Sequence, residues 1–236
     1  MDTPTTLVTG ASRGIGAAIA DALEARGCRV LRHASQARDG MLGADLREPG
    51  AGARLLADAL ERLDGARLDA LANNAGIYVP TPLHGDWRAA WEATMAVNLR
   101  APAELGRAAI AHFRERSGTG HGGRILNIAS RAAHRGDGPD HDAYAASKAG
   151  LLAMGKTWAR ALGPEGIEVY AIAPGWVDTD MARAEPMAAA EARAAIPLGE
   201  LADPREIAAV AAMLICGGCP SATGAVWDIN GASHLR

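Results

Sequence analysis

A chain of 236 residues, 49% hydrophobic and 22% charged, is long enough for one α/β domain, and its 4% aromatic share leaves the packing to Ala, Leu, Val and Ile. The formal net charge of −3 gives no basis for binding nucleic acid or an anionic membrane. No apolar run approaches the ~20 residues of a membrane span, and residues 1–6 (MDTPTT) lack the basic and apolar stretches of a secretion signal, so a soluble cytoplasmic protein is expected.

The first expected strand, Thr6–Thr9, runs into Thr9-Gly10-Ala11-Ser12-Arg13-Gly14-Ile15-Gly16 and a helical pattern over 14–26. Glycines at such a turn bring backbone N–H groups close to a phosphate at the helix N-terminus, where the dipole favours an anion. The second strand, Arg29–His33, is followed after only about seven residues by the third, Met41–Ala44. Parallel neighbours ordinarily need a crossover of a dozen or more residues, so the helix expected there is lost or replaced by a bare loop. A helix near 50–63, a strand at Leu68–Asn73, a helix near 86–116 and a strand at Arg124–Ala129 come next. A helix near 142–163, a strand at Glu168–Ala173, a helix near 204–216 and a strand at Ala225–Ile229 complete the pattern. Such alternation means βαβ units and a parallel sheet covered on both faces. The expected fold class is α/β, a single-domain, Rossmann-like, doubly wound parallel sheet of about seven strands spanning 1–236. Two loops stand out: the glycine-rich Ser117–Gly123, and the Ala- and Met-rich Thr179–Gly199, long enough for a substrate lid.

Of the basic residues 22 are arginine and two are lysine, and there are three tyrosines; one lysine and one tyrosine stand in Tyr144-Ala145-Ala146-Ser147-Lys148. A four-residue step on a helix puts phenol and ammonium on one face. A compact cation there favours the phenolate and is expected to draw the tyrosine pKa down from about 10, which suits acid–base work near neutral pH. The cysteines are Cys28, Cys216 and Cys219. Cys216-Gly217-Gly218-Cys219 has no second ligand pair at zinc spacing, and its glycines read as a helix stop; no metal is expected.

Thr9-Gly10 with Gly14 and Gly16, Asn73-Asn74-Ala75-Gly76, Asn98, Ser130, Tyr144 with Lys148, and Pro174-Gly175 occur in order and in register over nearly the whole chain. Together they resemble the short-chain dehydrogenase/reductase family in its common single-domain form. The resemblance implies an NAD(P)-dependent oxidoreductase that reduces a small carbonyl, or oxidises an alcohol, by hydride transfer. On this resemblance Tyr144 passes the proton, Lys148 lowers the Tyr144 pKa and holds the nicotinamide ribose, Ser130 steadies the substrate oxygen, and Asn98 anchors a water beside Lys148. It further implies dinucleotide contacts from Gly10, Ser12, Arg13, Gly14, Ile15 and Gly16 in the first loop and from Ser35, Asp45 and Leu46 near the adenosine. Asn73, Ala75, Gly76, Pro174, Gly175, Val177 and Thr179 are implied to follow the chain of the cofactor, with Tyr144 and Lys148. Tyr78, Arg131, His134, Trp176 and Met181 are implied to line the substrate pocket, and a homotetramer or homodimer is implied to assemble on the 86–116 and 142–163 helices.

An NAD enzyme of this type places an acid at the end of the second strand, on the ribose 2′-OH. This strand reads Arg29-Val30-Leu31-Arg32-His33-Ala34-Ser35, with Ala34 at that position. With no acid to repel a 2′-phosphate, and with Arg13 joined by His33, Ser35 or Arg38, NADP(H) is favoured over NAD(H). Two rival readings keep the fold: an inactive nucleotide-binding sensor or scaffold loses the tyrosine or lysine, and a non-redox lyase-type enzyme loses the glycines. Both sets are present here. The short loop after the second strand resembles that of some pteridine reductases, whose characteristic motifs are absent; β-ketoacyl thioester reductases look no less similar.

Overall fold

The computed structural model describes residues 4–38, 40–115, 122–183 and 186–236. Its strands are β1 (Thr5–Val8), β2 (Arg29–Ala34), β3 (Leu42–Gly43), β4 (Ala70–Asn73), β5 (Gly123–Ile128), β6 (Ile167–Pro174) and β7 (Val226–Ile229). The helices are α1 (Gly14–Glu24), α2 (Ala51–Arg62), α3 (Arg88–Met95), α4 (Ala101–Glu115), α5 (Ala132–Arg135), α6 (Asp142–Leu162), α7 (Asp180–Arg183), α8 (Pro186–Ala195) and α9 (Pro204–Ile215). The strands form one seven-stranded sheet in the order β3-β2-β1-β4-β5-β6-β7, every neighbouring pair parallel. From β1 the chain moves outward to β3 and then returns to β4 on the other side. The strand order therefore reverses between β1 and β4, and the crevice beyond their C-terminal ends is where such a sheet receives a ligand.

The period-2 alternation of strand side chains builds two cores. Leu7, Leu71, Ile125 and Val169 pack on one face under α2, α4 and α6. Their neighbours Val8, Ala72, Leu126 and Tyr170 pack on the other under α1 and α9. Both faces are covered, so the central strands β4, β5 and β6 are largely apolar and show no strict polar alternation. Among the described residues no helix is long and apolar enough to cross a membrane.

Among the described residues the loop between β2 and β3 holds no helix, as its length implied. The crossover is short because β3 has only two residues, pairing Leu42 with His33 and Gly43 with Ala34. At about 3.3 Å per residue the chain has little strand length to retrace. A tight turn at Gly40 (φ +74°) and a bridge between Arg38 and Met41 return it. The expected strand Met41–Ala44 is thus shortened at both ends. The expected 86–116 helix is α3, a π turn over Ala96–Arg100 and then α4. The Thr179–Gly199 excursion contains α7 and α8, and α5 follows β5; the four-residue α5 and α7 carry too few turns to show a stripe, and the Ala-rich α8 has little contrast between its faces. Residues 117–121 of the other loop, and the Met181 side chain, lie outside the described set.

Candidate active site

The glycine loop closes over the end of β1. Thr9, buried at the strand end, accepts hydrogen bonds at Oγ1 from the Asn74 and Ala75 N–H groups, both 3.0 Å, and so stitches the β1 loop to the β4 loop. Asn74 Nδ2 donates to the carbonyls of Thr9 (2.9 Å) and Gly10 (3.2 Å). At Gly10, φ +64°, a Cβ would stand 2.9 Å from Ala75 Cα, so no side chain fits there. Arg13 precedes α1 in extended conformation and supplies no side-chain cap, and the first turn of the helix contains no acidic residue. The N–H groups of that turn therefore face the crevice as an uncapped positive pole. This cradle fits the pyrophosphate of a dinucleotide, and Gly10, Ser12, Arg13, Gly14, Ile15 and Gly16 are the residues that would hold it.

His33 has a role that the sequence did not reveal. It is 2% exposed, accepts at Nδ1 from the Gly10 N–H (3.1 Å) and meets the Ala44 carbonyl at Nε2 (3.0 Å). With one nitrogen accepting and the other facing a carbonyl the ring is neutral, and burial pushes its pKa down. The expectation that His33 helps to bind a 2′-phosphate is therefore corrected, because both nitrogens are already committed to the backbone. Ser35 and Arg38 remain exposed beyond β2, and Ala34 is buried at its end. Arg13 is 71% exposed and approaches Asp180 of α7 at 3.8 Å.

The proton-transfer group assembles on three elements. Ser130 follows β5; its flanking N–H groups, on Ala129 and Arg131, donate to the Ile172 and Pro174 carbonyls of β6 at 2.8 and 2.9 Å. Tyr144 and Lys148 lie one turn apart on α6, and the Ser130 side chain acts on the Tyr144 hydroxyl, favouring its ionised form. Lys148 is 4% exposed; its Nζ donates to the Ile128 carbonyl (2.8 Å) and sits 5.8 Å from the centre of the Tyr144 ring. Asn98 occupies the π turn, where a local widening re-aims a side chain without ending the helix. It accepts from the Ile77 N–H (2.9 Å) and donates to the Ile77 carbonyl (2.9 Å) and Ser147 Oγ (3.2 Å). Gly76 sits where these groups converge: a Cβ there would be in van der Waals contact, 3.4 Å, with both Asn98 Oδ1 and Lys148 Nζ.

The electrostatics differ from the sequence expectation in one respect. Burial, with Asp137 adding to it, pushes the Tyr144 phenol up to about 12 against the opposing Ser130 bond, and burial pushes Lys148 down to about 8. Lys148 does not draw the phenol below its ordinary range here: desolvation dominates, and the ammonium is turned to Ile128.

The other expected residues divide into two sets. Thr179 packs over the glycine loop, its Cγ2 3.4 Å from where a Gly14 Cβ would stand. Gly175 abuts Asn230 at the end of β7. The Asn73 side chain instead donates to Asn127 (3.0 Å), and Leu46 and Val177 are core residues, so any contact they offer to a dinucleotide runs through the main chain. The Asp45 carboxylate is gripped by Arg47, with Nη2 at 2.6 Å, and is held below the usual carboxylate range by that bond. On the substrate side, Tyr78 stacks on His141 (centroids 3.9 Å apart) and sets its ring edge-on to Tyr144 (4.8 Å). Thr81 Oγ1 bonds to Asp142 (2.5 Å), fixing the same loop to the start of α6. His141 and Asp142 carry no local sequence signal, since the residues they contact lie some sixty positions away. Trp176 is half-buried, its carbonyl accepting from the Ala202 N–H (3.0 Å). His134 stacks on His234 at 5.8 Å and lies 3.7 Å from Asp228, beside the C-terminal segment.

A doubly wound parallel sheet with an uncapped glycine loop, and with a buried amine, a phenol and a serine at one crevice, defines a dinucleotide-binding protein equipped for proton transfer. The family model described as enoyl-(acyl carrier protein) reductase matches residues 10–234. The chain is 36% identical to protein FixR of Bradyrhizobium diazoefficiens over 97% of this chain and 86% of that protein. It is 35% identical to the 3-oxoacyl-[acyl-carrier-protein] reductase FabG of Escherichia coli over 97% and 96%. A solved dehydrogenase/reductase from Sinorhizobium meliloti superposes with a TM-score of 0.88 at 35% identity, covering 100% of this chain and 96% of that one. The chain belongs to the short-chain dehydrogenase/reductase family and is an NAD(P)H-dependent oxidoreductase.

Proposed function

We propose that the protein reduces a small carbonyl compound with NADPH, or runs the reverse oxidation, with Tyr144 as proton donor and acceptor. The observation that carries this reading is the convergence of three groups: the buried Lys148 amine lies 5.8 Å from the centre of the Tyr144 ring, and Ser130 acts on the Tyr144 hydroxyl. A bound nicotinamide dinucleotide supplies the hydride. Ser130 donates to the substrate oxygen and holds it beside the phenol. Tyr144 then delivers its proton to the nascent alkoxide, a much stronger base than a phenolate of pKa about 12. Lys148, acidic at about 8, restores that proton, and Asn98 fixes the Ile77 loop that closes this side of the amine.

NADP(H) is preferred over NAD(H) because Ala34 rather than a carboxylate ends β2, Ser35 and Arg38 are exposed beyond it, and Arg13 is exposed in the glycine loop. Assembly as a homotetramer or homodimer on the 86–116 segment (α3 to α4) and α6, in the cytoplasm, accords with this reading. The test is oxidation of NADPH and NADH against a carbonyl panel that includes 3-oxoacyl thioesters, by the wild type and Tyr144→Phe. Turnover that disappears in the variant while NADPH still binds supports the assignment; retained turnover overturns it.

A further inference from the structure

Arg131 follows Ser130 directly and is 8% exposed. Arginine is almost never buried to this extent unless paired, because a desolvated charge without a partner is costly. Among the described residues, however, the Arg131 guanidinium makes no hydrogen bond and has no carboxylate within ion-pair distance. Its backbone is rigid: the N–H donates to the Pro174 carbonyl (2.9 Å), and its own carbonyl accepts from His134 (3.0 Å) at the start of α5. The groups that act electrostatically on the guanidinium are Arg135, Asp137 and Tyr78. Asp137 also acts on Tyr144, and Tyr78 sets its ring edge-on to Tyr144, so the charge belongs to the neighbourhood of the catalytic phenol.

A guanidinium presents a flat fork of donors that matches a carboxylate with two parallel bonds. A fork in this neighbourhood, with no carboxylate within ion-pair distance among the described residues, is built to receive one from the substrate. We propose that Arg131 is the specificity-determining residue of this site and that the substrate is an oxo acid whose free carboxylate pairs with Arg131 while its carbonyl lies at Tyr144 and Ser130. This rests on the carbonyl-reductase reading above. Arg131 sorts substrates and takes no part in proton transfer.

The experiment compares 2-oxo and 3-oxo carboxylic acids with their methyl esters and with the corresponding neutral thioesters, using NADPH and the wild type, Arg131→Met and Arg131→Lys. The wild type is expected to favour acid over ester by at least about 100-fold in kcat/KM, the scale of a buried charge-assisted pair. Arg131→Met should bring that ratio to about one, and Arg131→Lys should restore part of it. Malonate, a redox-inert dicarboxylate, should raise the Tm of the wild type but not of Arg131→Met. Equal use of acid and ester by the wild type, an acid preference that survives Arg131→Met, or stronger stabilisation by inorganic phosphate than by malonate overturns the proposal. Preference for the thioester overturns it while leaving the reductase reading intact; absence of NADPH oxidation with every carbonyl overturns both.

Discussion

Replacing Lys148 with methionine should make the protein more stable at neutral pH while ending its activity. Burial draws the ammonium pKa from its ordinary 10.5 to about 8. The unfolded chain therefore binds this proton more tightly than the folded one, a penalty fully present below about pH 8 that fades as pH rises toward 10.5. At about 1.4 kcal/mol per pKa unit, holding the charge in place costs the folded state about 3 kcal/mol at pH 7. Methionine fills nearly the same volume without the charge but leaves the Ile128 carbonyl, now 2.8 Å from Nζ, without its donor. An orphaned carbonyl costs about 1 kcal/mol, so the net gain is about 2 kcal/mol. For a domain of this length that corresponds to a Tm increase of about 4–8 °C. Thermal melts of wild type and Lys148→Met from pH 6.5 to 10 should show the gain at pH 7 and its near disappearance by pH 10, where the wild-type amine is neutral when folded. A variant less stable than wild type at pH 7, or a gain that does not shrink with pH, would refute the account of Lys148 as a buried, destabilising catalytic charge.

Arg13→Ala should weaken NADPH more than NADH by about 1.5–3 kcal/mol in fluorescence titrations if the guanidinium meets a 2′-phosphate; equal losses would make it a surface charge. His33→Phe should weaken both cofactors alike, since it removes the brace between the Gly10 N–H and the Ala44 carbonyl rather than a phosphate contact; a selective loss of NADPH would show that the imidazole meets the phosphate. Asn98→Ala should destabilise by about 3 kcal/mol in urea unfolding, because Ile77 and Ser147 lose buried partners together; a change under about 1 kcal/mol would mean that water replaces the amide. Gly16→Ala places a Cβ against the Gly10 carbonyl and the Asn74 amide. It should destabilise by about 1–3 kcal/mol and abolish dinucleotide binding; unchanged NADPH affinity would contradict the close approach.

The sequence by itself determined what repeats along the chain or is fixed by local spacing. Strand–helix alternation prescribed a parallel sheet covered on both faces, because apolar strands such as Ile125-Leu126 and Val169-Tyr170 have no side to leave in water. The glycines of the first loop and the Tyr144–Lys148 step were legible because phosphate approach and helical periodicity each demand a set interval. The missing crossover helix was legible from length. Tertiary structure decided everything that depends on which distant residues meet. It committed His33 to the glycine loop, turned Asn73 into the sheet and Lys148 toward Ile128, raised the Tyr144 pKa where spacing implied a fall, and brought Tyr78 onto His141. It also buried most of Arg131, whose side chain makes no hydrogen bond among the described residues. Desolvation is the common reason: it is set by the atoms packed around a group in three dimensions, and neither the identity of a residue nor its spacing from its neighbours specifies it.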